Sequence, residues 1–150
     1  MTKPAELTAH IGYWMRQVSN HVSRAFADKL AARGFTVVEW VLLRVLYGRD
    51  PMPPSRVASE MGFTRGGVTK LADRLIARGL VVRASDPSDG RAQTLALTAK
   101  AARIVPDLAK LADKNEAEYF GHLSARDRRE LQRILAETVA KLGLTVMPVD

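Results

Sequence analysis

The sequence contains no cysteine and no long apolar run in its 150 residues. The first absence excludes disulfides, thiolate metal sites and cysteine catalysis. The second predicts no membrane span, because a span needs about 18 or more consecutive apolar residues. The N-terminus also lacks the basic, apolar and small-residue order of a secretory signal. Together these absences predict a cytoplasmic chain.

Enzyme motifs are missing as well. The sequence has no G-x-S-x-G, no P-loop and no G-x-G-x-x-G. Ser19, His21 and Asp28 lie close in sequence, but at unsuitable angles on one predicted helix. The histidines are scattered, and without cysteine partners they do not make a zinc site. We therefore predict no enzyme, no metal and no cofactor.

Positive charge is what the sequence has in excess. Its formal net charge is +7, which suggests an anionic partner such as nucleic acid. The excess is local, because Asp73 is the only acidic residue between positions 62 and 83. The basic residues of that segment are Arg65, Lys70, Arg74, Arg78 and Arg83.

The spacing of apolar residues predicts a mainly helical chain. Steps of three and four predict a long amphipathic helix over residues 7–32. A capping box at Thr36 opens a second helix that runs to Tyr47. Later helices are predicted over about 55–61 and 65–78, then from Thr98 and from Ser124, with a kink at Pro106 in the helix that begins at Thr98.

Residues 55–78 predict a helix-turn-helix with its turn at Gly62. One side of this unit would face the core, through Val57, Ala58, Met61, Val68, Leu71, Ala72 and Leu75. The other side of its second helix would carry Arg65, Gly66, Thr69, Lys70, Asp73 and Arg74. Such a helix fits the major groove of DNA, where side chains read base edges. Gly66 and Gly67 are poor helix formers, and either close approach to DNA or helix packing would explain them.

The stretch RASDPSDGRAQTLALT, residues 83–98, predicts a β-hairpin together with the preceding LVV run. Asp89 and Gly90 form a turn signal, since glycine tolerates positive φ. A hairpin directly after a helix-turn-helix is a wing, and Arg91 at its tip would reach the minor groove. The alternative is a solvated loop in which Arg91 pairs with Asp86 or Asp89.

The chain resembles the MarR family of winged-helix transcriptional regulators over nearly all its length. The similar segments are GFTVVEWVLLRVL (34–46), VASEMGFTRGGVTKLADRLIARGLVVR (57–83) and DPSDGRAQTLALT (86–98). Phe35 and Glu39 stand where the family typically has leucine and glutamine. Gly90 replaces the first of two wing arginines, which removes one charge from the tip. Arg91 keeps the position that enters the minor groove in relatives.

The pattern and the resemblance together imply a mainly α fold with a small β-hairpin. A winged helix-turn-helix domain (35–98) would lie between N-terminal (1–34) and C-terminal (99–150) dimerisation helices. The resemblance implies a homodimer that binds a near-palindromic double-stranded DNA operator as a repressor. It also implies release of DNA when a small aromatic or phenolic ligand binds between the dimerisation helices and the winged domain.

Three sets of residues are predicted to carry these functions. The DNA-contacting set is Ser55, Arg56, Thr64, Arg65, Gly66, Gly67, Thr69, Lys70, Arg74 and Arg91. The wing-shaping set is Asp86, Asp89 and Gly90. The candidate ligand pocket comprises His10, Tyr13, Trp14, Arg16, Gln17, His21 and Trp40. The alternative for the last set is that its tryptophans are core residues and its histidines lie at a dimer interface or in solvent.

A second function remains open, a winged helix that binds only other proteins. The charge on the fourth helix argues against it, because protein-binding surfaces are more often apolar or aromatic at their centre.

Overall fold

The computed structural model describes residues 2–144, so Met1 and residues 145–150 lie outside it. The described part forms six α-helices and one β-hairpin, as the sequence predicts. In chain order the elements are a 3-10 turn Leu7–Ala9, α1 Ile11–Ala31, α2 Val37–Leu46, α3 Pro54–Met61, α4 Arg65–Ala77, β1 Val81–Asp86, β2 Asp89–Leu97, α5 Ala99–Phe120 and α6 Ala125–Leu142. No described helix is long and apolar enough to cross a membrane.

Side-chain caps fix where four of these helices begin. Thr36, Thr64, Thr98 and Ser124 each accept a hydrogen bond from the backbone N–H three residues further on. At Thr36 the capping box is complete, because Glu39 accepts the Thr36 N–H at 2.9 Å in return. Each cap satisfies a donor that the first helical turn leaves free, which stabilises the start by about 1 kcal/mol.

Helix α1 differs from its prediction in detail, and α5 contains the proline that the sequence places within it. The first α-helix begins at Ile11 rather than Leu7, because residues 7–9 form the 3-10 turn. Helix α5 is continuous through Pro106 to Phe120, and the kink at Pro106 stays a prediction. Pro106 lies beyond the first turn of α5, and its missing N–H leaves the Ala102 carbonyl without its usual intrahelical donor.

One hydrophobic core joins the winged unit, which consists of α2, α3, α4 and the hairpin, to parts of the outer helices α1 and α5. The residues predicted to face inward from α3 and α4 are all buried. Leu30 of α1 and Ala101, Val105 and Leu108 of α5 join the same core. The outer helices are therefore anchored to the winged unit at the end of α1 and the start of α5.

The hairpin pairs antiparallel from Val81 opposite Leu97 to Ser85 opposite Gln93. Met52, in the proline-rich connector, forms an isolated antiparallel bridge to Leu95 on β2. Its N–H donates to the Leu95 carbonyl at 3.0 Å, and the Leu95 N–H donates back at 2.8 Å. This bridge attaches the base of the hairpin to the segment that leads into α3.

Polar contacts join α1 to α5 along the other half of the molecule. The buried Asn115 amide donates to the Val22 carbonyl at 3.1 Å and accepts from Lys29 Nζ at 3.0 Å. Lys29 also binds Glu118 at 2.8 Å. The two helices are thus held in a fixed register, because buried polar groups lose free energy if their partners move away.

The last helix has almost no support from its own chain. Every residue of α6 is exposed, including the apolar stripe formed by Leu131, Ile134, Leu135, Val139 and Leu142. The start of α1 is similar, with Ile11 at 78% and Trp14 at 53% exposure. These two elements present a large uncovered apolar surface.

Candidate nucleic-acid interface

The helices α3 and α4 form the helix-turn-helix that the sequence predicts. Gly62 ends α3 with φ +69° and ψ +30°, a left-handed conformation that glycine adopts without steric cost. Thr64 then caps α4 by accepting the Gly67 N–H at 3.0 Å. Only Phe63 separates the two residues, so the reversal between the helices is short.

The outer surface of α4 carries unpaired positive charge. Arg65, Lys70 and Arg74 are exposed, and their side chains make no ion pair or hydrogen bond within residues 2–144. The acidic Asp73 on the same surface is paired with Arg83 at 2.8 Å. Because the acid is neutralised and the cations are free, this surface is suited to an anionic partner.

The two glycines of α4 have different surroundings. A Cβ on Gly66 would meet nothing within 4 Å, whereas one on Gly67 would lie 3.1 Å from the Thr64 hydroxyl oxygen. Helix packing therefore does not explain Gly66, and the backbone there is open to an approaching partner. Gly67 lies tightly against the cap. The Thr69 hydroxyl donates to the Arg65 carbonyl at 3.0 Å, within the helix.

The start of α3 offers a weaker cationic surface than predicted. Ser55 is half-buried, and Arg56 is exposed but lies 3.4 Å from Glu60. Glu60 also accepts two hydrogen bonds from Arg49, and these bonds lower the pKa of its carboxyl. The prediction did not include Arg49, since it lies before the proline-rich connector and outside any helical pattern.

The turn of the wing lies two residues earlier than predicted. Pro87 and Ser88 form it, and the Asp86 carboxylate accepts both the Ser88 N–H at 2.9 Å and its hydroxyl at 2.7 Å. These bonds lower the pKa of Asp86. Gly90 belongs to β2 and has no positive φ, so its prediction as the turn residue was wrong.

Arg91 follows the turn on an irregular part of β2. The pairing shifts between Ser85 and Asp86, so residues 90–92 have no partner across the hairpin. Asp89 accepts the backbone N–H of Arg91 at 3.0 Å, which fixes the local chain. The Arg91 side chain is exposed and forms no ion pair with Asp86, Asp89 or any other described residue. Its guanidinium is free to contact a ligand.

The candidate ligand residues fall into two separate places. Trp40 lines a cavity of about 270 Å³ between α1, α2 and α5, together with Phe26 and Asn115. Trp14, Gln17 and His21 instead line a groove of about 460 Å³ at the junction of α1, α5 and α6. His10, Tyr13 and Arg16 line neither. Sequence spacing could not separate these sites, because the division depends on how α1 crosses its neighbours.

Among the groove residues that were not predicted, two have polar side chains. Tyr119 and His122 come from α5 and the segment after it, some hundred positions away from Trp14 and His21 in the sequence. Within residues 2–144, no three histidine or acidic side chains come together as metal ligands would.

Comparison with known proteins agrees with this geometry. Residues 33–92 match the MarR family. An uncharacterized HTH-type transcriptional regulator of Bacillus subtilis, YkoM, is 28% identical over 116 residues, which cover 77% of this chain and 73% of YkoM.

Solved structures extend the likeness to most of the chain. A MarR-family transcriptional regulator from Rhodococcus sp. RHA1 has a TM-score of 0.77 and 26% identity, and covers 88% of this chain and 95% of its own. The transcriptional repressor CouR, bound to a 23-mer DNA duplex, has a TM-score of 0.76 and 26% identity, with coverage of 93% and 99%. CouR from Rhodococcus jostii RHA1 has also been solved with p-coumaroyl-CoA.

The fold and the cationic helix-turn-helix define a winged-helix DNA-binding protein. The chain is similar to transcriptional regulators of the MarR family, whose model matches residues 33–92.

Proposed function

We propose that the chain acts as a homodimeric repressor that binds a near-palindromic operator and is released from it by a small aromatic ligand. One observation carries the DNA part of this proposal. The helix-turn-helix presents Arg65, Lys70 and Arg74 without intramolecular partners, and the adjoining wing presents Arg91 in the same condition.

The recognition helix of this proposal is α4, placed in the major groove. Arginine and lysine donate to guanine there, and threonine can contact thymine. Gly66 allows the start of the helix to approach DNA closely, because no side chain stands in the way. Arg91 would enter the adjacent minor groove, whose negative potential attracts a guanidinium. Asp86 and Asp89 hold the loop that presents it.

The homodimer is supported by the surface that a single chain leaves uncovered. The exposed apolar stripe of α6 and the exposed start of α1 have no other cover within the described residues. Apolar surface of this kind favours association because burial removes it from water. Two recognition helices held in this way would meet half-sites about one helical turn, roughly 34 Å, apart.

The ligand is supported by the cavity between α1, α2 and α5. Its walls include the aromatic rings of Phe26 and Trp40, which pack edge to face with centroids 6.3 Å apart. The cavity lies between two dimerisation helices and the winged unit, so an occupant could alter how they pack. CouR, a structural relative, is solved with an aromatic acyl-CoA.

Selection from a random duplex library tests the function directly. We expect recovery of a two-fold symmetric site, with affinity that falls as a steep power of salt concentration. Benzoate, salicylate and p-coumarate are then added to the bound complex, and at least one is expected to release it. Failure to enrich any sequence would favour the protein-interaction alternative.

Two single substitutions test the contact residues. Arg74→Ala should weaken operator binding or blur its sequence preference, and Arg91→Ala should lower affinity without unfolding the chain. Lys110→Ala is the matched control, since it removes one exposed charge from the middle of α5. Unchanged binding by a folded Arg91→Ala chain would remove the wing from the proposal.

A further inference from the structure

Arg78, the residue that ends the recognition helix, makes three contacts with the segment where α2 begins. One guanidinium nitrogen donates to Glu39 Oε2 at 2.8 Å, and another donates to the Gly34 carbonyl at 2.9 Å. The guanidinium also lies over the Phe35 ring, 4.6 Å from its centroid. None of these contacts is local, because 39 or more positions separate Arg78 from its partners.

The Glu39 carboxylate is buried and both of its oxygens are engaged, so it is not free to replace Arg78 with water. Its side chain is only 7% exposed, and its second oxygen accepts the Thr36 N–H at 2.9 Å. Burial alone would raise the pKa of Glu39, but the hydrogen bonds from Thr36 and the charge of Arg78 outweigh it and lower the pKa. The carboxylate is therefore ionised at neutral pH, and an ionised buried group is costly to leave unpaired.

Apart from the exposed Asp73–Arg83 pair, the rest of the recognition helix is held by less directional contacts. Its buried side chains pack mainly against α3 and β1, and apolar contacts tolerate small rotations and translations. A guanidinium differs, because its donors have a fixed planar geometry and must meet their acceptors at set angles. The contacts of Arg78 therefore limit how the end of α4 can turn relative to α2.

We propose that Arg78 and Glu39 are positioning residues for operator recognition, which fix the orientation of α4 so that Thr69, Lys70 and Arg74 meet the base edges. Neither residue needs to touch DNA in this role. The inference rests on the proposed function, since it assigns the residues that orient its recognition helix.

Arg78→Lys is the first test, because it keeps the charge and removes the planar pair of donors. One ammonium cannot hold both the Glu39 carboxylate and the Gly34 carbonyl in the same geometry. We expect operator affinity to fall about tenfold, a change typical of a buried acceptor left unsatisfied. Affinity for an unrelated duplex should stay within twofold of the parent, because non-specific binding depends on charge. Both are measured by fluorescence anisotropy, below the onset of thermal unfolding.

Glu39→Gln separates positioning from long-range electrostatics. The substitution removes a negative charge, so electrostatics alone would tighten binding to any duplex. The amide has one acceptor oxygen where the carboxylate has two, so positioning predicts weaker operator binding. The double variant Glu39→Gln/Arg78→Lys should bind the operator no more weakly than the worse single variant does. Both substitutions break the same Arg78–Glu39 contact, so their effects should not add. Arg44→Lys, on the exposed side of α2 over Tyr47, is the matched control and should bind like the parent.

The outcomes distinguish this inference from the proposed function. A parent chain without sequence preference overturns both. A parent that selects an operator, with an Arg78→Lys variant that binds it equally well, overturns this inference alone. Equal losses on operator and unrelated duplex, or a lower melting temperature with unchanged operator affinity, would mean that the pair only stabilises the fold.

Discussion

Arg83 on β1 donates to the Asp73 carboxylate on α4 at 2.8 Å, and this pair joins the wing to the middle of the recognition helix. Asp73 is 59% exposed and Arg83 30%. A pair this exposed contributes at most about 1 kcal/mol to folding stability. Its main consequence is geometric, since it ties together the two elements proposed to contact DNA, and it also neutralises the only acidic side chain of α4.

We predict that Asp73→Asn lowers discrimination between operator and unrelated DNA with little change in stability. The variant frees Arg83 and removes a negative charge, so its affinity for unrelated duplex should rise severalfold. Its operator affinity should rise less or fall, because the wing loses its fixed place. Anisotropy titrations against both duplexes measure the ratio of affinities. An equal change on both duplexes would contradict a geometric role for the pair.

Gly90→Arg should strengthen DNA binding. Gly90 has no positive φ, and a Cβ there meets nothing within 4 Å, so the strand can accept a side chain. The new guanidinium would lie beside Arg91 and add one phosphate or groove contact. We expect severalfold tighter binding to DNA. The slope of the logarithm of affinity against the logarithm of salt concentration should also steepen by about 1. Gly90→Ala, as the control, should fold and bind like the parent. An unchanged salt slope in the arginine variant would place this side of the wing away from DNA.

Leu135→Glu should separate the proposed dimer into monomers. Leu135 lies in the apolar stripe of α6, and a carboxylate buried there without a partner should raise the dimer dissociation constant at least about a hundredfold. Ala136→Glu places the same group on the same helix, away from the stripe, and should leave association intact. Sedimentation velocity over a dilution series gives both constants. Equal behaviour of the two variants would exclude the stripe as the interface.

Acid should destabilise the chain partly through Glu39. Its pKa is lowered in the folded chain from an ordinary value of 4.5, so the folded state binds this proton less readily than the unfolded state. The stabilisation is therefore present above pH 4.5 and is lost as the pH falls through the lowered pKa. Urea unfolding at pH 7 and pH 3 should show a larger loss of unfolding free energy in the parent than in Glu39→Gln. Equal losses of unfolding free energy in the two proteins would mean that the partners of Glu39 do not stabilise the folded chain through its carboxylate.

Local signals account for what the sequence predicts well. Each helix cap depends on a segment of only four residues, so its signal is local. The structure forms the caps at Thr36, Thr64, Thr98 and Ser124. The buried and exposed sides of α4 follow from helical periodicity alone. The family pattern then supplies the wing, which periodicity by itself indicates only as a hairpin.

The features that the sequence did not predict depend on competing local turn signals or on contacts between residues far apart in the chain. The wing contains two adjacent turn signals, one at Pro87 and Ser88 and one at Asp89 and Gly90. The Asp86 carboxylate accepts two hydrogen bonds from Ser88 and so stabilises the first turn, which lies before Gly90. The division of Trp14 and Trp40 between two sites depends on how helices cross, and no short-range pattern encodes that. The Arg78–Glu39 contact likewise joins positions 39 residues apart.

In the proposed homodimer, the exposure of α6 on the single chain would make the folding of this helix depend on protein concentration. In a single chain the helix is supported by local contacts, such as the ion pairs of Arg133 with Glu130 and Glu137, and by the place of Leu131 in the groove beside α1 and α5. Most helical stability in proteins comes from tertiary packing of an apolar face, and α6 leaves that face exposed in the single chain. Ordering of α6 would then accompany pairing, and the amount of competent regulator would vary with the square of chain abundance at low levels. A modest change in synthesis would produce a larger change in operator occupancy.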